Sequence, residues 1–345
     1  MTDTRLKIGV VGAGWAGCQA MHAVQALPRT ELVAISDVMP QLLEAAGQNY
    51  GCSRHYADYR ELLADNDVDA VYLAVNPVLR HQMVLDSFAA GKHALVQKPH
   101  AVRAEQILEY ESAAASAQKT LQFCYFLRHN PRNRIIRAAI DRGDIGDPYH
   151  ARVFLKYNSK PAAEGITSWL QTYGQKGGAL GQHASHELDL AWWWLGRPEP
   201  RWAFATKHIL NPVYDGPEGP AEDYISGIIG LDGGKTLQID CSRWLHADTP
   251  TSVEVYGHNG AIREGKISRF ADDKYTSAEA DTPLDIPHTD PPADQIFFYH
   301  EIEHFAMAVA GEVEPDVNAT DAYQFMRLLD TIYDSAASSE KVYVQ

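Results

Sequence analysis

The sequence predicts an α/β fold in two domains: a doubly wound parallel sheet over residues 1–125, and a second α/β domain with an open sheet over residues 126–345. A chain of 345 residues exceeds what one hydrophobic core usually supports. Short β-branched runs alternate with helical periods from Lys7 to Phe123, which is typical of parallel strands joined by crossover helices. The pattern changes to a run of strands after a helix closed by Gly143 and Gly146, and we place the domain junction in this region.

The first half contains five predicted strands that are mostly apolar throughout, as strands covered on both faces should be. They are Ile8 to Val11, Leu32 to Ser36, Ala70 to Val75, His93 to Val96 and Leu121 to Phe123. Helical periods lie between them, for example at His81 to Ala90 and Ala104 to Ala117.

The second half predicts a sheet accompanied by helices. The helices are expected at Arg134 to Arg142, His186 to Leu195, Ile296 to Ala310 and Ala322 to Ala336. The strands are expected at Tyr149 to Tyr157, Ala203 to Ile209, Ile225 to Leu231, Leu237 to Leu245 and Val253 to Tyr256. Residues 272–292 are rich in Asp, Pro and Thr and predict an irregular surface loop. The tryptophans of residues 192–194 lie in an apolar helix and are interpreted as packing residues, with a platform for a sugar as the alternative.

Composition and charge exclude several classes of protein. The chain has 45 acidic and 30 basic residues and no compensating Lys/Arg cluster, so neither nucleic acid nor an anionic membrane is an expected partner. Its 4 cysteines are scattered without metal-ligand spacing and indicate a reducing compartment. The residues before Ile8 are polar and lead directly into a strand, so no signal peptide is expected and the predicted location is cytoplasmic.

A glycine-rich segment from Ile8 to Gly17 joins the first strand to the first helix. Gly12 allows a tight turn, Gly14 lets the backbone approach a pyrophosphate, and Gly17 lets helix and strand pack closely. The amides of the helix N-terminus then face the anion. Asp37 ends the second strand, at the separation expected for the acid that binds the adenine ribose. Because a carboxylate there repels a 2′-phosphate, the sequence favours NAD over NADP.

Two further segments make the chain resemble a known family. Residues 90–99 read Ala-Gly-Lys-His-Ala-Leu-Val-Gln-Lys-Pro, and residues 177–189 read Gly-Gly-Ala-Leu-Gly-Gln-His-Ala-Ser-His-Glu-Leu-Asp. Together with the glycine loop, they resemble the Gfo/Idh/MocA family of oxidoreductases. That family has Gly-Lys-His, then a strand ending in Glu-Lys-Pro, and later a glycine pair followed by Asp-x-Gly-x-His-x-x-Asp. The chain departs from this pattern at Gln97, Gln182 and Ala184, where the family has Glu, Asp and Gly.

The resemblance implies a Rossmann domain that binds NAD. The cofactor-binding residues are then expected to be Gly12, Gly14, Trp15, Ala16, Asp37, Val75, Asn76, Pro77, His81, Gln97 and Lys98. It also implies a second domain whose open, mostly antiparallel sheet makes a homodimer or homotetramer. The substrate is expected to be a small carbohydrate or cyclic polyol. Its contacts are expected to be Lys98, Lys156, Trp169, Gln182, His183 and His186.

The expected chemistry needs two residues. Oxidising a secondary alcohol requires a base near the hydroxyl and a cation beside the developing alkoxide. By resemblance His186 is the general acid/base and Lys98 polarises the substrate oxygen, although either side chain can carry the proton and the roles can be exchanged. Asp189 is expected to orient the His186 ring or to cap the local turn. No metal is expected, because His183 and His186 lack the HExxH arrangement of a zinc site.

The sequence leaves two interpretations open for four side chains near the expected substrate pocket. His183 is either a substrate contact or a histidine packed at the start of its helix. Arg128, Arg243 and Trp244 are either part of the pocket wall or exposed surface residues.

Three functions are compatible with these residues. The first is an NAD-dependent dehydrogenase acting on a ring hydroxyl of a sugar, inositol or glycoside. The second is a glycoside-cleaving enzyme in which NAD oxidises the sugar transiently and is restored, so that an aglycone leaves without net NADH. The neutral Gln97 and Gln182 keep this second function open. The third, a non-catalytic NAD-binding regulator, is disfavoured because Lys98 and His186 are both present.

Overall fold

The structure, a computed structural model, describes residues 5–157, 174, 176–210, 219–245, 250–280 and 296–344. The chain divides into two compact units. The first unit contains residues 1–129 and 288–323, and the second contains residues 130–287 and 324–345. The domain boundary after residue 125 stays a prediction. Among the helices of the described ranges, none combines the length and the apolar character needed to span a bilayer.

The described part of the first unit contains a six-stranded sheet in which all strand pairs are parallel. Its strands are β1 (Leu6–Val11), β2 (Thr30–Ser36), β3 (His55–Tyr56), β4 (Ala70–Leu73), β5 (His93–Val96) and β6 (Leu121–Phe123). Their order is β3-β2-β1-β4-β5-β6, so the direction of winding reverses at β1. Open sheets of this kind bind ligands outside the carboxyl ends of the strands at such a switch point.

Helices cover this sheet. They are α1 (Trp15–Ala26), α2 (Pro40–Tyr50), α3 (Tyr59–Ala64), α4 (Pro77–Ala89), α5 (Glu105–Ala117) and, from much later in the chain, α8 (Ile296–Val309). Phe298, Ile302 and Phe305 of α8 are buried in the same hydrophobic cluster as Val10 of β1 and Met21 of α1. The late helix α8 therefore completes the core of the first unit, although it lies within the sequence range predicted for the second domain.

The second unit is built on one large sheet. Its described strands are β7 (Pro148–Lys156), β8 (Pro200–His208), β9 (Tyr224–Leu231), β10 (Thr236–Ser242), β11 (Ser252–Gly257), β12 (Gly260–Arg263), β13 (Lys266–Ala271), β14 (Lys274–Glu279) and β15 (Val342–Tyr343). Their order is β14-β13-β12-β11-β7-β10-β9-β8-β15. In the described residues β7 and β10 pair in parallel and the other pairs are antiparallel. This arrangement confirms the predicted open, mostly antiparallel sheet.

The helices of this unit are α6 (Pro131–Asp141), α7 (Ser185–Trp194) and the part of α9 (Ala319–Ser338) that begins at Gln324. Trp192, Trp193 and Trp194 of α7 are all buried, and the Trp192 ring lies 5.9 Å from the ring of Phe325 in α9. The interpretation of this tryptophan run as packing is therefore confirmed.

The prediction of an irregular loop over residues 272–292 is wrong in its first part. Strands β13 and β14 form a hairpin whose turn residues, Asp272 and Asp273, have φ values of 51° and 59°. Two positive φ values in a two-residue loop match the twist of a hairpin. The side chains of β14 are exposed on both faces, so no apolar alternation indicated a strand there. Residues 281–292 lie outside the described residues.

Candidate active site

The glycine loop of the first unit has the shape that a pyrophosphate requires. The N–H of Gly12 donates to the carbonyl of Ser36 at 2.8 Å and ties the loop to β2. A Cβ atom at Gly17 would lie 1.8 Å from the Gly12 carbonyl oxygen, so only glycine allows α1 to begin this close to the loop. A Cβ atom at Gly14 would meet nothing within 4 Å, so the loop is open at that point. The first amides of α1 lack partners within the helix, and these residues fit the phosphates of a dinucleotide.

Trp15 and Ala16 begin α1 beside this loop. The Trp15 side chain is 70% exposed, and its ring contacts Phe298 edge-on at 5.7 Å between centroids. An indole held on one side and exposed on the other offers a flat surface to a ligand. The role of both residues at the cofactor stays a prediction.

Asp37 lies directly after β2. Its Oδ2 accepts the backbone N–H of Ala13 at 2.7 Å, and its Oδ1 accepts the N–H of Met39 at 2.8 Å. The two bonds fix the carboxylate beside the glycine loop, where the ribose acid of dinucleotide sites is located. The structure therefore brings together the predicted loop and the predicted acid.

Val75, Asn76 and Pro77 follow β4. The Asn76 side chain accepts the N–H of Val78 at 2.8 Å, and with Pro77 in the first turn it sets the start of α4. His81 lies one turn later and faces α5, with Nδ1 3.3 Å from the Tyr110 hydroxyl and Nε2 3.4 Å from the Glu109 carboxylate. These contacts give His81 a packing role, and its contact with the cofactor stays a prediction.

Gln97 and Lys98 follow β5, at the same edge of the sheet. Gln97 is buried; its Nε2 donates to the Tyr72 hydroxyl at 2.6 Å and its Oε1 accepts the backbone N–H of Lys98 at 2.7 Å. An amide can donate and accept in this way, whereas an ionised glutamate can only accept. Gln97, which stands where the family has Glu, therefore joins the Lys98 backbone to the buried Tyr72 hydroxyl.

Tyr72 belongs to a buried group of titratable side chains that also includes Cys124 and Glu301. Burial raises the pKa of the Cys124 thiol, and burial raises the pKa of the Glu301 carboxyl to about 8. Both side chains are therefore mainly protonated at neutral pH. Sequence reasoning missed this group, because Glu301 is far away in sequence and lies on α8.

The second signature forms a wide helical turn. Residues Ala179–Ala184 adopt a π-helix that continues into α7 at Ser185. Such turns are rare and occur frequently at functional sites. Gln182 and His183 lie on the wide turn, and His186 lies in the first turn of α7.

Glu222 holds the start of this turn. Its Oε1 accepts the N–H of Leu180 at 2.8 Å, and its backbone oxygen accepts the N–H of Ala179 at 3.0 Å. Glu222 is fully buried, and this burial raises the pKa of its carboxyl to about 7. A Cβ atom at Gly178, where φ is +86°, would lie 2.5 Å from Glu222 Oε2. The glycine is therefore required both by the backbone conformation and by the buried carboxyl.

Tyr333 of α9 secures the opposite side of the turn. Its hydroxyl accepts the N–H of Gly181 at 2.9 Å and donates to the carbonyl of Gly177 at 3.2 Å. Sequence reasoning missed Glu222 and Tyr333, which lie 42 and 152 residues from the amides that they bind. An acidic pair directly before a strand, Glu222 and Asp223, was the one available signal.

The second unit brings most of the predicted substrate residues together. The His183 ring stacks on Tyr157 with centroids 4.3 Å apart, so the end of β7, where Lys156 lies, is beside the wide turn. His186 is buried and Asp189 is fully buried. The roles predicted for these side chains stay predictions. Trp169 lies outside the described residues, and Lys98 belongs to the first unit.

Two candidates for the pocket wall, Arg128 and Arg243, form ion pairs. Arg128 Nη1 lies 2.8 Å from Asp321 Oδ2, and no part of the Arg128 side chain is exposed. Arg243 Nε lies 2.8 Å from Asp223 Oδ1, with both side chains largely buried. Neither arginine is an exposed surface residue, and the place of both in the pocket wall stays a prediction.

The switch point at β1, the open glycine loop and the carboxylate after β2 define a dinucleotide-binding protein. Comparison with protein families gives two matches, "Oxidoreductase family, NAD-binding Rossmann fold" over residues 6–125 and "Oxidoreductase family, C-terminal alpha/beta domain" over residues 137–344. The chain belongs to the Gfo/Idh/MocA family of oxidoreductases, which confirms the resemblance. It is an enzyme and its cofactor is NAD, so a non-catalytic regulator is not supported.

Individual relatives match along almost their whole length. Inositol 2-dehydrogenase of Rhizobium meliloti (strain 1021) is 27% identical over 353 residues, which cover 98% of this chain and 98% of that protein. The scyllo-inositol 2-dehydrogenase (NAD(+)) of Bacillus subtilis (strain 168) is 26% identical, with 93% and 91% covered. Among solved structures, an NAD binding oxidoreductase from Klebsiella pneumoniae shares the fold with a TM-score of 0.82 at 24% identity, covering 99% of this chain and 100% of that one.

Proposed function

We propose that the protein is an NAD-dependent dehydrogenase that transfers hydride between a ring hydroxyl of a sugar, inositol or glycoside and nicotinamide. The names of the two inositol dehydrogenases that match nearly the whole chain support this substrate class. The observation that carries the proposal is the presence of both residue types that the reaction needs at the signature positions. Lys98 follows β5, and His186 lies at the start of α7.

The proposed chemistry assigns the hydroxyl proton to one side chain and the contact with the substrate oxygen to another. Bound NAD supplies the hydride acceptor. The chain has to hold the hydroxyl, accept its proton and stabilise negative charge on oxygen while the C–H bond breaks and the carbonyl forms. We assign the proton to the His186 imidazole, from which it passes to water, and the oxygen contact to the Lys98 ammonium. Exchange of these two roles is the alternative.

The remaining substrate contacts are assigned to the second unit. Gln182 and His183 on the wide turn, and Lys156 at the end of β7, offer donors and acceptors to several hydroxyls. Trp169 belongs to the same proposed set. We assign Asp189 to orienting the His186 ring.

The proposal is tested by following NADH absorbance with a panel of inositols, pyranoses, anhydrosugars and glycosides. We expect at least one of these to be oxidised. Lys98→Met and His186→Asn should each lower kcat by about 10²–10⁴-fold, the usual contribution of a general acid–base group. Lys274→Met and His258→Asn, at exposed positions, serve as matched controls. Near-normal turnover in both active-site variants, or no NADH from any compound, would contradict the proposal.

A glycoside-cleaving reaction with transient sugar oxidation is the second candidate. The observation that favours it is the absence of both signature acids, since Gln97 and Gln182 replace them. The same panel distinguishes the two functions when it includes aryl glycosides. Release of the aryl alcohol without net NADH would establish the second function, whereas NADH in proportion to oxidised sugar would establish the first.

We further propose a homodimer or homotetramer formed through the sheet of the second unit. Phe204 and Ile228 lie opposite each other on β8 and β9 and are 42% and 39% exposed. Exposed apolar neighbours on a sheet face are typical of a contact surface. Light scattering of the wild type and of Phe204→Lys/Ile228→Lys tests this, and an unchanged mass in the double variant would contradict it. The cytoplasmic location stays a prediction.

A further inference from the structure

Arg80 of α4 is a buried cation to which the proposed function gives no role. Its guanidinium donates to the carbonyl oxygens of Val75, Gln97 and Pro99, the last at 2.5 Å. Val75 follows β4, and Gln97 and Pro99 are the two neighbours of Lys98. One side chain therefore joins two loops that both carry predicted cofactor-binding residues.

The contacts of Arg80 show what its guanidinium contributes. Its side chain is 1% exposed, and the three acceptors named above are uncharged carbonyls. Burial lowers the pKa of Arg80 to about 10, which leaves it cationic at neutral pH. Removing a charge from water without a counter-charge is unfavourable. A methionine would fill similar space without that cost, so what the arginine contributes is its bonds to the carbonyls.

We propose that Arg80 is a positioning residue, whose guanidinium fixes the loop after β4 and the loop after β5 against each other and so sets the place of the Lys98 side chain. This inference rests on the role proposed for Lys98 in hydride transfer.

The backbone around Lys98 is fixed on both sides. Arg80 binds the carbonyls of Gln97 and Pro99, and the Gln97 side chain binds the Lys98 N–H at 2.7 Å. A reacting group is effective only when its supporting residues hold it within a fraction of an ångström of the productive position. Arg80 supplies two of these three supports, and its third bond extends the same restraint to Val75.

The experiment uses Arg80→Ala, Arg80→Met and Arg80→Lys, with the exposed Arg103→Ala as the control. We expect kcat in Arg80→Ala to fall about 10²-fold, the loss typical of a reacting group misplaced by about 1 Å, with a smaller change in substrate KM. Guanidinium ion, but not sodium ion at equal ionic strength, should restore part of kcat. The kcat of Arg80→Lys should be little higher than that of Arg80→Ala, because an ammonium lacks the planar fork that reaches three carbonyls. Arg80→Met, which keeps the volume, replaces Arg80→Ala if the latter does not fold.

A second measurement does not depend on substrate. Hydrogen exchange of the NAD-bound protein should become faster in Arg80→Ala over residues 72–79 and 94–101, and guanidinium ion should reverse this. Normal kcat and normal exchange in the variants would overturn the proposal. So would a loss of kcat with exchange unchanged around Lys98, or exchange that rises throughout the first unit and does not respond to guanidinium. If the wild type oxidises no polyol, the proposed function fails, but the exchange measurement still decides the role of Arg80.

Discussion

The Asp37 carboxylate accepts the backbone N–H of Ala13 at 2.7 Å and thereby joins the residue after β2 to the glycine loop after β1. The other oxygen of the same carboxylate accepts the N–H of Met39 at 2.8 Å. One side chain thus holds the phosphate loop and places a negative charge where the adenine ribose of a dinucleotide lies. We therefore expect the order of the loop and the choice between NAD and NADP to depend on the same residue.

Substitution of Asp37 should change cofactor preference. We expect Asp37→Ala to weaken NAD binding about 10–100-fold, because a hydrogen bond to a charged group contributes about 1.5–3 kcal/mol. Asp37→Asn keeps an acceptor for the Ala13 amide and removes the charge, so it should lose less affinity for NAD and gain relative affinity for NADP. Calorimetric titration with both cofactors measures this, with the exposed Glu44→Gln as the control. An unchanged ratio of the two Kd values in both variants would refute the assigned role.

Gly178→Ala should destabilise the protein more than Gly51→Ala. Gly178 has φ 86° and ψ −166°, a region open essentially to glycine alone, and its Cβ would also contact the Glu222 carboxyl. Gly51 has φ 61° and ψ 21°, and its Cβ would meet nothing within 4 Å. We expect about 1 kcal/mol of lost stability at Gly51 and about 3 kcal/mol or more at Gly178. Urea unfolding measures both losses of stability, and equal losses would contradict both the backbone argument and the Glu222 contact at Gly178.

Glu222 should make stability depend on pH. Its folded-state pKa of about 7 lies above the ordinary value of 4.5, so the folded protein retains a proton that the unfolded chain releases between these values. This contribution to stability is complete below about pH 4.5 and is lost as the pH rises through about 7, by about 3 kcal/mol in total. Glu222→Gln keeps the acceptor for Leu180 and should reduce the loss.

The measurement is the free energy of unfolding in urea at about pH 5 and about pH 8. Glu301, whose pKa burial raises to about 8, adds a dependence of the same sign, so the slope in Glu222→Gln should decrease without disappearing. Glu314→Gln, at an exposed position, should follow the wild type. A slope in Glu222→Gln equal to that of the wild type would show that folding does not raise the pKa of the Glu222 carboxyl.

Arg128→Met should lower the free energy of unfolding by about 3–5 kcal/mol, because it leaves the Asp321 carboxylate without its buried partner. The double variant Arg128→Met/Asp321→Leu should recover part of this loss, since it removes both charges. Arg142→Met breaks a more exposed pair with Asp144 and should cost about 1 kcal/mol or less. Chemical denaturation of the wild type and the three variants measures these differences in the free energy of unfolding. Similar losses in Arg128→Met and Arg142→Met would show that burial of the first pair does not matter.

The parts of the fold that the sequence predicted are those with a strong local pattern. Strands β1, β2, β4, β5 and β6 were found because parallel strands covered on both faces consist mostly of apolar residues. Strand β14 was missed because all of its side chains are exposed, so no apolar alternation marks it in the sequence. The contribution of α8 to the core of the first unit could not be foreseen, since its apolar face is compatible with packing on either unit.

The candidate site also contains residues that a local sequence pattern indicates and residues that only the structure shows. The glycine loop, Asp37, Lys98 and His186 could be proposed from the sequence because their spacing is local and their chemistry is distinctive. The sequence did not predict the roles of Glu222 and Tyr333 or the bonds of Arg80, because each of these joins segments that are separated in sequence.

The sequence by itself determined the fold class, the dinucleotide fingerprint and the family, because these depend on the order of residue types over short stretches. Only the tertiary structure decided which groups hold the predicted residues in place, namely Gln97 with Tyr72, Arg80 with two loops, and Glu222 with the wide turn. The physical reason is that a buried hydrogen bond depends on the distance between two groups, and that distance is unrelated to their separation along the chain.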